Sequence, residues 1–156
     1  MVEGFQQSDI FAIAIVSSGV ILLIYFAWKT LITSNFYQKG VNLYQQEDFS
    51  GAEAAFRRVI SINSTNDVVH LLLGDTLMRQ NKVEEAVQQF QEVIRRAPKK
   101  VDAYLRLANI LMQQDKKVEA LSNLQTAKDL SLAQRNPKQA EQIDKILQKI
   151  GDRVVG

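Results

Sequence analysis

The chain has 156 residues, 46% hydrophobic, 8% aromatic and 23% charged, with 7 Gly, 2 Pro, 1 His and no Cys. This balance excludes a disordered or fibrous chain, and the missing Cys excludes disulfides, thiolate metal sites and a Cys nucleophile. The lone His excludes a multi-His metal site within one chain, and a net charge of +2 falls far short of the field of a dedicated nucleic-acid binder.

Residues 1–9 read as a short tail whose only charges are Glu3 and Asp9. All 19 Lys and Arg lie at or after Lys29. Between them Ile10 to Trp28 hold no charge at all. As a helix, this run spans about 28 Å, close to a bilayer hydrocarbon core. Its apolar residues, from Ile10 and Phe11 through Ile24, fall on all sides, whereas a surface helix keeps a polar face. Tyr25, Trp28 and Lys29 suit a helix leaving the membrane. The pattern predicts a transmembrane anchor and junction over residues 10–32, with lipid contact through residues 10–28. A core helix would not occupy this run in so small a helical chain. A cleaved signal peptide wants a basic start and a small-x-small site, which the sequence around Phe26-Ala27-Trp28 does not supply. Lys29 and Lys39 on one flank, with no Lys or Arg on the other, place the C-terminal part in the cytoplasm or a plastid stroma. Ala14 and Ser18 form a small-xxx-small pair, a spacing that allows helix pairing in the membrane. With no Gly or Pro from Trp28 to Phe36, the anchor runs almost directly into the rest of the chain.

From residue 33 onward the chain repeats itself with a period of about 34 residues. Gly40, Gly74 and Ala108 share the register, as do Leu43, Leu77 and Leu111. So do Ala52, Ala86 and Ala120, then Phe56, Phe90 and Leu124, and Val59, Val93 and Ala127. Phe36, His70 and Tyr104 complete the pattern. Independent columns at one unbroken period mark an internal repeat. Apolar steps of three and four make each unit a helix pair, such as Val68–Arg79 and Val83–Ala97 around the turn Gln80-Asn81-Lys82. Gly74 and Ala86 allow close approach, Phe90 fills the gap, and Pro98 closes the unit. One pair cannot bury its apolar face alone, but three stacked pairs can.

The segment Leu72-Leu73-Gly74, then Leu77, Ala86, Phe90 and Pro98, resembles the tetratricopeptide repeat family. The resemblance covers residues 33–134 as three units, 33–66, 67–100 and 101–134. Lys39 departs from it at a normally apolar place, and Ser64 and Leu132 stand where the family often has proline. Residues 135–156 are expected to form a capping helix and tail. Asn136 is a good N-cap, Pro137 suits the first turn, and Ala140, Ile143, Leu147 and Ile150 make one apolar stripe. The chain is expected to fray from Gly151. The fold class is therefore all-α: one transmembrane helix, three repeat pairs and a cap.

The family resemblance implies a concave groove lined by the first helix of each pair. Carried over, it selects Tyr37, Val41 and Tyr44, then Leu71, Asp75 and Met78, then Leu105, Asn109 and Met112. Arg79, Arg106 and Gln113 lie nearby. This reads as a mainly apolar, aromatic surface, which the last helix either leaves open or covers. Relatives that grip acidic chaperone tails use a Lys, Arg and Asn set. Tyr37 and Val41 stand at two of those places, which argues against such a clamp. His70 reads as a packing residue, and the basic pairs Arg57-Arg58, Arg95-Arg96, Lys99-Lys100 and Lys116-Lys117 as solvated faces, with anionic lipid as an alternative contact.

No Ser/His/Asp set, phosphate-cradling glycine loop or unexplained carboxylate pair is present, so no catalytic residue, metal, cofactor, small-molecule substrate or nucleic-acid partner is expected. The implied function is a single-pass, membrane-anchored interaction module that holds segments of membrane-protein subunits during assembly. An anchor followed by about three repeats resembles the photosystem I assembly proteins of cyanobacteria and plastids, which implies a thylakoid membrane. A receptor for protein targeting or import, and a permanent structural subunit, are the alternatives.

Overall fold

The computed structural model describes the backbone of residues 7–155 and the side chains of residues 11–151. Its helices are α1 (Gln7–Gln45), α2 (Phe49–Ile62), α3 (Asp67–Arg79), α4 (Val83–Arg96), α5 (Val101–Gln113), α6 (Lys117–Ala133) and α7 (Pro137–Val155). No strand occurs among the described residues. Each helix packs chiefly on its sequence neighbours, so the chain from α1 to α7 is a short solenoid.

α1 is one unbroken helix of 39 residues, about 58 Å long. It joins the expected anchor, the junction and the first helix of the first repeat. It starts at Gln7, inside the expected tail, of which residues 1–6 lie outside the described residues. Thirteen large apolar side chains from Phe11 to Leu31 are each at least half exposed. Hydroxyl groups along this stretch bond to the helix itself. Ser17 and Ser18 donate to the carbonyls of Ala14 and Ile15, and Thr30 and Thr33 to those of Phe26 and Lys29. Such back-bonding leaves few polar groups seeking water.

The repeat shows in side chains and backbone alike. A methyl group on Gly40 would come within 2.6 Å of the Phe56 ring, and one on Gly74 would collide with Phe90. The third unit replaces both members: Ala108 and Leu124 share one buried cluster, the added methyl answered by a smaller partner. Glu47, Asn81 and Asp115, at the same place in successive repeats, all take φ near +60°. At each of these turns the following amide donates to a carbonyl five residues back: Asp48 to Leu43, Lys82 to Leu77, Lys116 to Leu111. This is the left-handed stop that ends a helix sharply. Arg135 repeats it between α6 and α7, where the Asn136 amide donates to Ser131.

The core has two parts. Phe56, Phe90, Leu73, Leu77, Val69 and Ile110 centre the first. Val101, Ala108, Leu124, Ala127, Ile143 and Ile150 form the second, which α7 completes. Asn136 Oδ1 accepts from the Gln139 amide at 3.3 Å, as an N-cap should. The helix α7 runs past Gly151 to Val155. One glycine costs a formed helix only about 1 kcal/mol, too little to end it.

Candidate functional site

The nine sequence-selected groove residues separate into three groups. Tyr44, Asp75, Met78 and Asn109 line one open depression of about 290 Å³. They come from α1, α3 and α5, the first helices of the three pairs. Arg79, Arg106, Ile110 and Gln113 share its wall. Leu71 is buried in the first core, with Tyr37 and Val41 packed against that core. Leu105 and Met112 join the cluster completed by Ile143, Leu147 and Ile150, and Met112 also shares a depression with Ile146 and Ile150. The question left open by the sequence thus has a split answer. α7 packs beside the third repeat's end of the groove, and the middle is open.

The middle is not the mainly apolar surface the sequence suggested. Arg106 Nε donates to both carboxylate oxygens of Asp75 at 2.9 Å, and its Nη1 reaches the Asp102 carbonyl at 3.4 Å. Burial pushes the Asp75 carboxyl above its ordinary value, the nearby Arg106 charge and hydrogen bond pull it back, and the Asp102 charge adds to the rise. The two partners stand 31 positions apart in the chain, just short of one full repeat. Scanning the repeat columns therefore cannot align them. Opposite charges at that offset on successive first helices are the signal that finds them.

An aromatic step borders this ion pair. Tyr44 meets Phe49 edge-on at 5.4 Å between ring centroids, and the Arg79 guanidinium lies 4.8 Å above Phe49. The depression therefore offers amide and guanidinium donors, a carboxylate, and the apolar flanks of Tyr44 and Met78. Such a surface suits an extended peptide, whose backbone needs both donors and acceptors and whose side chains need apolar contact.

Beside the groove, Glu53 ties α2 to the α3–α4 turn. It accepts from Arg57 at 2.7 Å, Lys82 at 2.8 Å and Gln80 at 2.9 Å, while Gln80 also donates to the Phe49 carbonyl. Burial alone would raise its pKa, but these hydrogen bonds outweigh it and lower it to about 2. His70 is buried, with Nδ1 2.8 Å from Gln89 Oε1 and Nε2 3.0 Å from the Ser64 carbonyl, the packing position expected of it.

A larger cleft, about 640 Å³, opens where α1 leaves its apolar stretch. Phe26, Lys29 and Thr33 form one wall, Asn63, Asn66 and Val68 the other.

The tetratricopeptide repeat model matches residues 43–99 and 77–131. No curated protein matches the sequence. Among solved structures, the chain resembles the type III secretion translocator chaperone SycD of Yersinia enterocolitica (19% identity, TM-score 0.71, 78% of this chain and 92% of that one). It also resembles the TPR2B domain of yeast Sti1, solved with an Hsp70 peptide complex (20%, 0.71, 79% and 98%). A third is Pseudomonas aeruginosa PcrH, solved with the chaperone-binding region of PopD (20%, 0.69, 77% and 91%). At these identities the likeness is one of fold.

Proposed function

The chain belongs to the tetratricopeptide repeat family, and on that premise we propose that it is a membrane-anchored interaction module. It holds segments of membrane-protein subunits while their complex assembles. The observation that carries this reading is α1 itself. Thirteen large apolar side chains stand exposed on a helix that continues, without a break, into the first repeat. In water that would be an apolar surface far larger than soluble monomers tolerate. A bilayer is the environment that suits it, and the uncharged run has the length to cross one.

The rest comes from continuity. A rigid helix carries the solenoid at the membrane surface, where the groove meets emerging subunit segments at high local concentration. Lys29 and Lys39 favour the cytoplasmic or stromal face. PcrH and the Sti1 domain, of like fold, are seen with protein segments, which supports a segment as ligand here. The groove's work is binding and release, not catalysis. The narrower reading, photosystem I subunits as clients in a thylakoid membrane, rests on the resemblance in architecture alone.

Affinity capture from gently solubilised native membranes tests this. Wild type is compared with Tyr44→Ala/Met78→Ala/Asn109→Ala, three side chains in the open depression outside the fully buried core, with folding checked by circular dichroism. The proposal expects substoichiometric membrane-protein subunits or precursors, lost with the variant. Photosystem I subunits in that catch support the narrower reading. Translocation machinery or presequences favour the targeting receptor, and stoichiometric recovery of a mature complex favours the structural subunit. Recovery unchanged by the variant removes the groove from the mechanism.

A further inference from the structure

The solenoid has two edges, and their charges differ. Helices alternate in direction, so the α2–α3, α4–α5 and α6–α7 loops lie at the end where α1 leaves its apolar stretch. The α1–α2, α3–α4 and α5–α6 turns lie at the other end. Hydrogen bonds tie the first set into one continuous edge. Asn63 and Asn66 share the cleft beside Lys29. Arg96 donates to the Ser64 carbonyl, and Gln134 donates to the Lys99 carbonyl at 2.6 Å. Step by step, these contacts lead from the anchor across all three loops.

Along this near edge stand Lys29, Lys99, Lys100, Arg135 and Lys138. Among the described residues none of them forms an ion pair. Of the acids at the same end, Asp67 and Glu141 are ion-paired, whereas Asp102 and Asp129 have no cationic partner among the described residues, so the free cations outnumber the free anions. Asp67 lies 2.9 Å from Arg96, without the alignment of a hydrogen bond. Asp102 lies toward the groove, where its charge acts on Asp75 and its carbonyl accepts from Arg106. Asp129 accepts from Gln125, and Glu141 pairs with Lys145. The far edge is balanced instead. Arg79 pairs with Glu47, Lys82 with Glu53 and Lys117 with Asp115, while Glu84, Glu85 and Glu119 begin the adjoining helices.

We infer that this near edge is a lipid-docking surface: the unpaired cations rest on anionic headgroups of the same bilayer that α1 crosses. The inference rests on the anchoring reading. α1 supplies the geometry, since its exit point and the cationic loops lie at one end of one helical stack. Anionic headgroups supply the complement, as juxtamembrane basic residues are drawn to a negative leaflet within a Debye length. Docking along an edge fixes the tilt of the solenoid and holds the groove at a set height above the surface. The basic pair Lys116-Lys117 takes no part, because it lies at the far end.

The absence of native Cys permits clean labelling. A fluorophore is placed on Ala133→Cys, at the near edge, or on Gln114→Cys, at the far edge. The full chain is reconstituted in nanodiscs of phosphatidylcholine, or phosphatidylcholine with phosphatidylglycerol, each with a headgroup-nitroxide lipid as quencher. Quenching at position 133 is expected only in anionic discs, several-fold above neutral ones, and lost at high salt. It should fall to the neutral level in Lys99→Gln/Lys100→Gln/Arg135→Gln/Lys138→Gln and persist in Lys116→Gln/Lys117→Gln. Position 114 should stay unquenched throughout. Equal quenching in neutral discs, or no loss in the quadruple variant, overturns the inference while leaving the anchor intact. A chain that elutes apart from both kinds of disc overturns the anchoring reading, and this one with it.

Discussion

From Phe11 to Leu31 α1 leaves every large apolar side chain at least half exposed, whereas from Phe36 to Tyr44 the same helix packs into the core. The backbone is alike in both halves. The difference is pairing. Gly40 is buried under the Phe56 ring, and Val41, Leu43 and Tyr44 meet the same cluster. Above Leu31 no large apolar side chain is covered by a second helix, and the stretch is apolar on all faces. A helix with one apolar stripe implies a protein partner for that stripe. A helix apolar all round, left bare, implies a solvent that is itself apolar.

The largest expected effect breaks the upper half alone. Val16→Arg with Val20→Arg sets two charges near the middle of the uncharged run. Each costs about 2.5–3.5 kcal/mol at a bilayer centre, enough together to prevent stable insertion. Carbonate extraction should then release the chain, while the thermal unfolding of the solenoid stays where it was. A doubly substituted chain that remains in the pellet removes the distinction between the halves.

The converse change breaks the solenoid alone. Phe90→Ala should lower its stability by about 3–5 kcal/mol, since Phe90 is fully buried against Gly74. Gly74→Ala should cost about 1–3 kcal/mol by forcing the ring aside. Adding Phe90→Leu should recover part of that loss, because the third repeat already uses Ala108 with Leu124. Denaturant titration reads all three, and membrane retention should not change. If Phe90→Leu deepens the loss from Gly74→Ala, the size exchange between repeats has no energetic meaning.

These two changes also mark what the sequence could reveal. Helices, turns and the glycine–phenylalanine columns were legible because they repeat. Each is dictated by a local pattern that recurs in the next unit. The turn at Asn81 and the caps at Asn66 and Asn136 arise from local chemistry in the same way. The groove was legible only in part. Tyr44, Asp75, Met78 and Asn109, selected through the family resemblance, line one depression. Leu71 was selected on the right helix but faces the core, and Leu105 and Met112 fall within the cluster that α7 completes. Those outcomes depend on how tightly neighbouring helices twist and where the last one lands. A period alone carries neither quantity. Arg106 opposite Asp75 is a contact between repeats, off register, and the repeat pattern conceals it.

Acid separates the halves by a smaller effect. The upper half has no acid or base between Ile10 and Trp28, so insertion should be independent of pH. In the solenoid the Glu53 pKa falls from 4.5 to about 2 on folding. A depressed carboxylate contributes stability above 4.5 and loses it as pH falls toward 2. Its hydrogen bonds to charged partners are worth about 1.5–3 kcal/mol, so the midpoint of unfolding should drop across that window, and Glu53→Gln should flatten the drop. Asp75 acts in the opposite sense. Its raised pKa favours the protonated fold at low pH and costs stability as pH rises. Asp75→Asn should therefore steepen the acid loss, whereas a chain whose stability is flat across that acid range has no such hub.

The smallest effect concerns how the packed half ends. Glu47 sits at φ +62° with its amide bonded to Tyr44 and the next amide to Leu43. A side chain there crowds the backbone, while glycine does not. Removing the Glu47 side chain gives up only a 3.8 Å pairing to Arg79 in which both groups are more than half exposed; such pairs contribute little. Glu47→Gly should therefore stabilise the solenoid by about 0.5–1 kcal/mol. Asn81→Gly, at the equivalent turn, should gain less, since asparagine tolerates that conformation. The gain should appear in denaturant titration of the solenoid and leave membrane retention unchanged. A loss at Glu47 would mean that its side chain, and not the backbone stop, ends α1. The contrast between the halves would then lie in one ion pair rather than in the way repeats bound their helices.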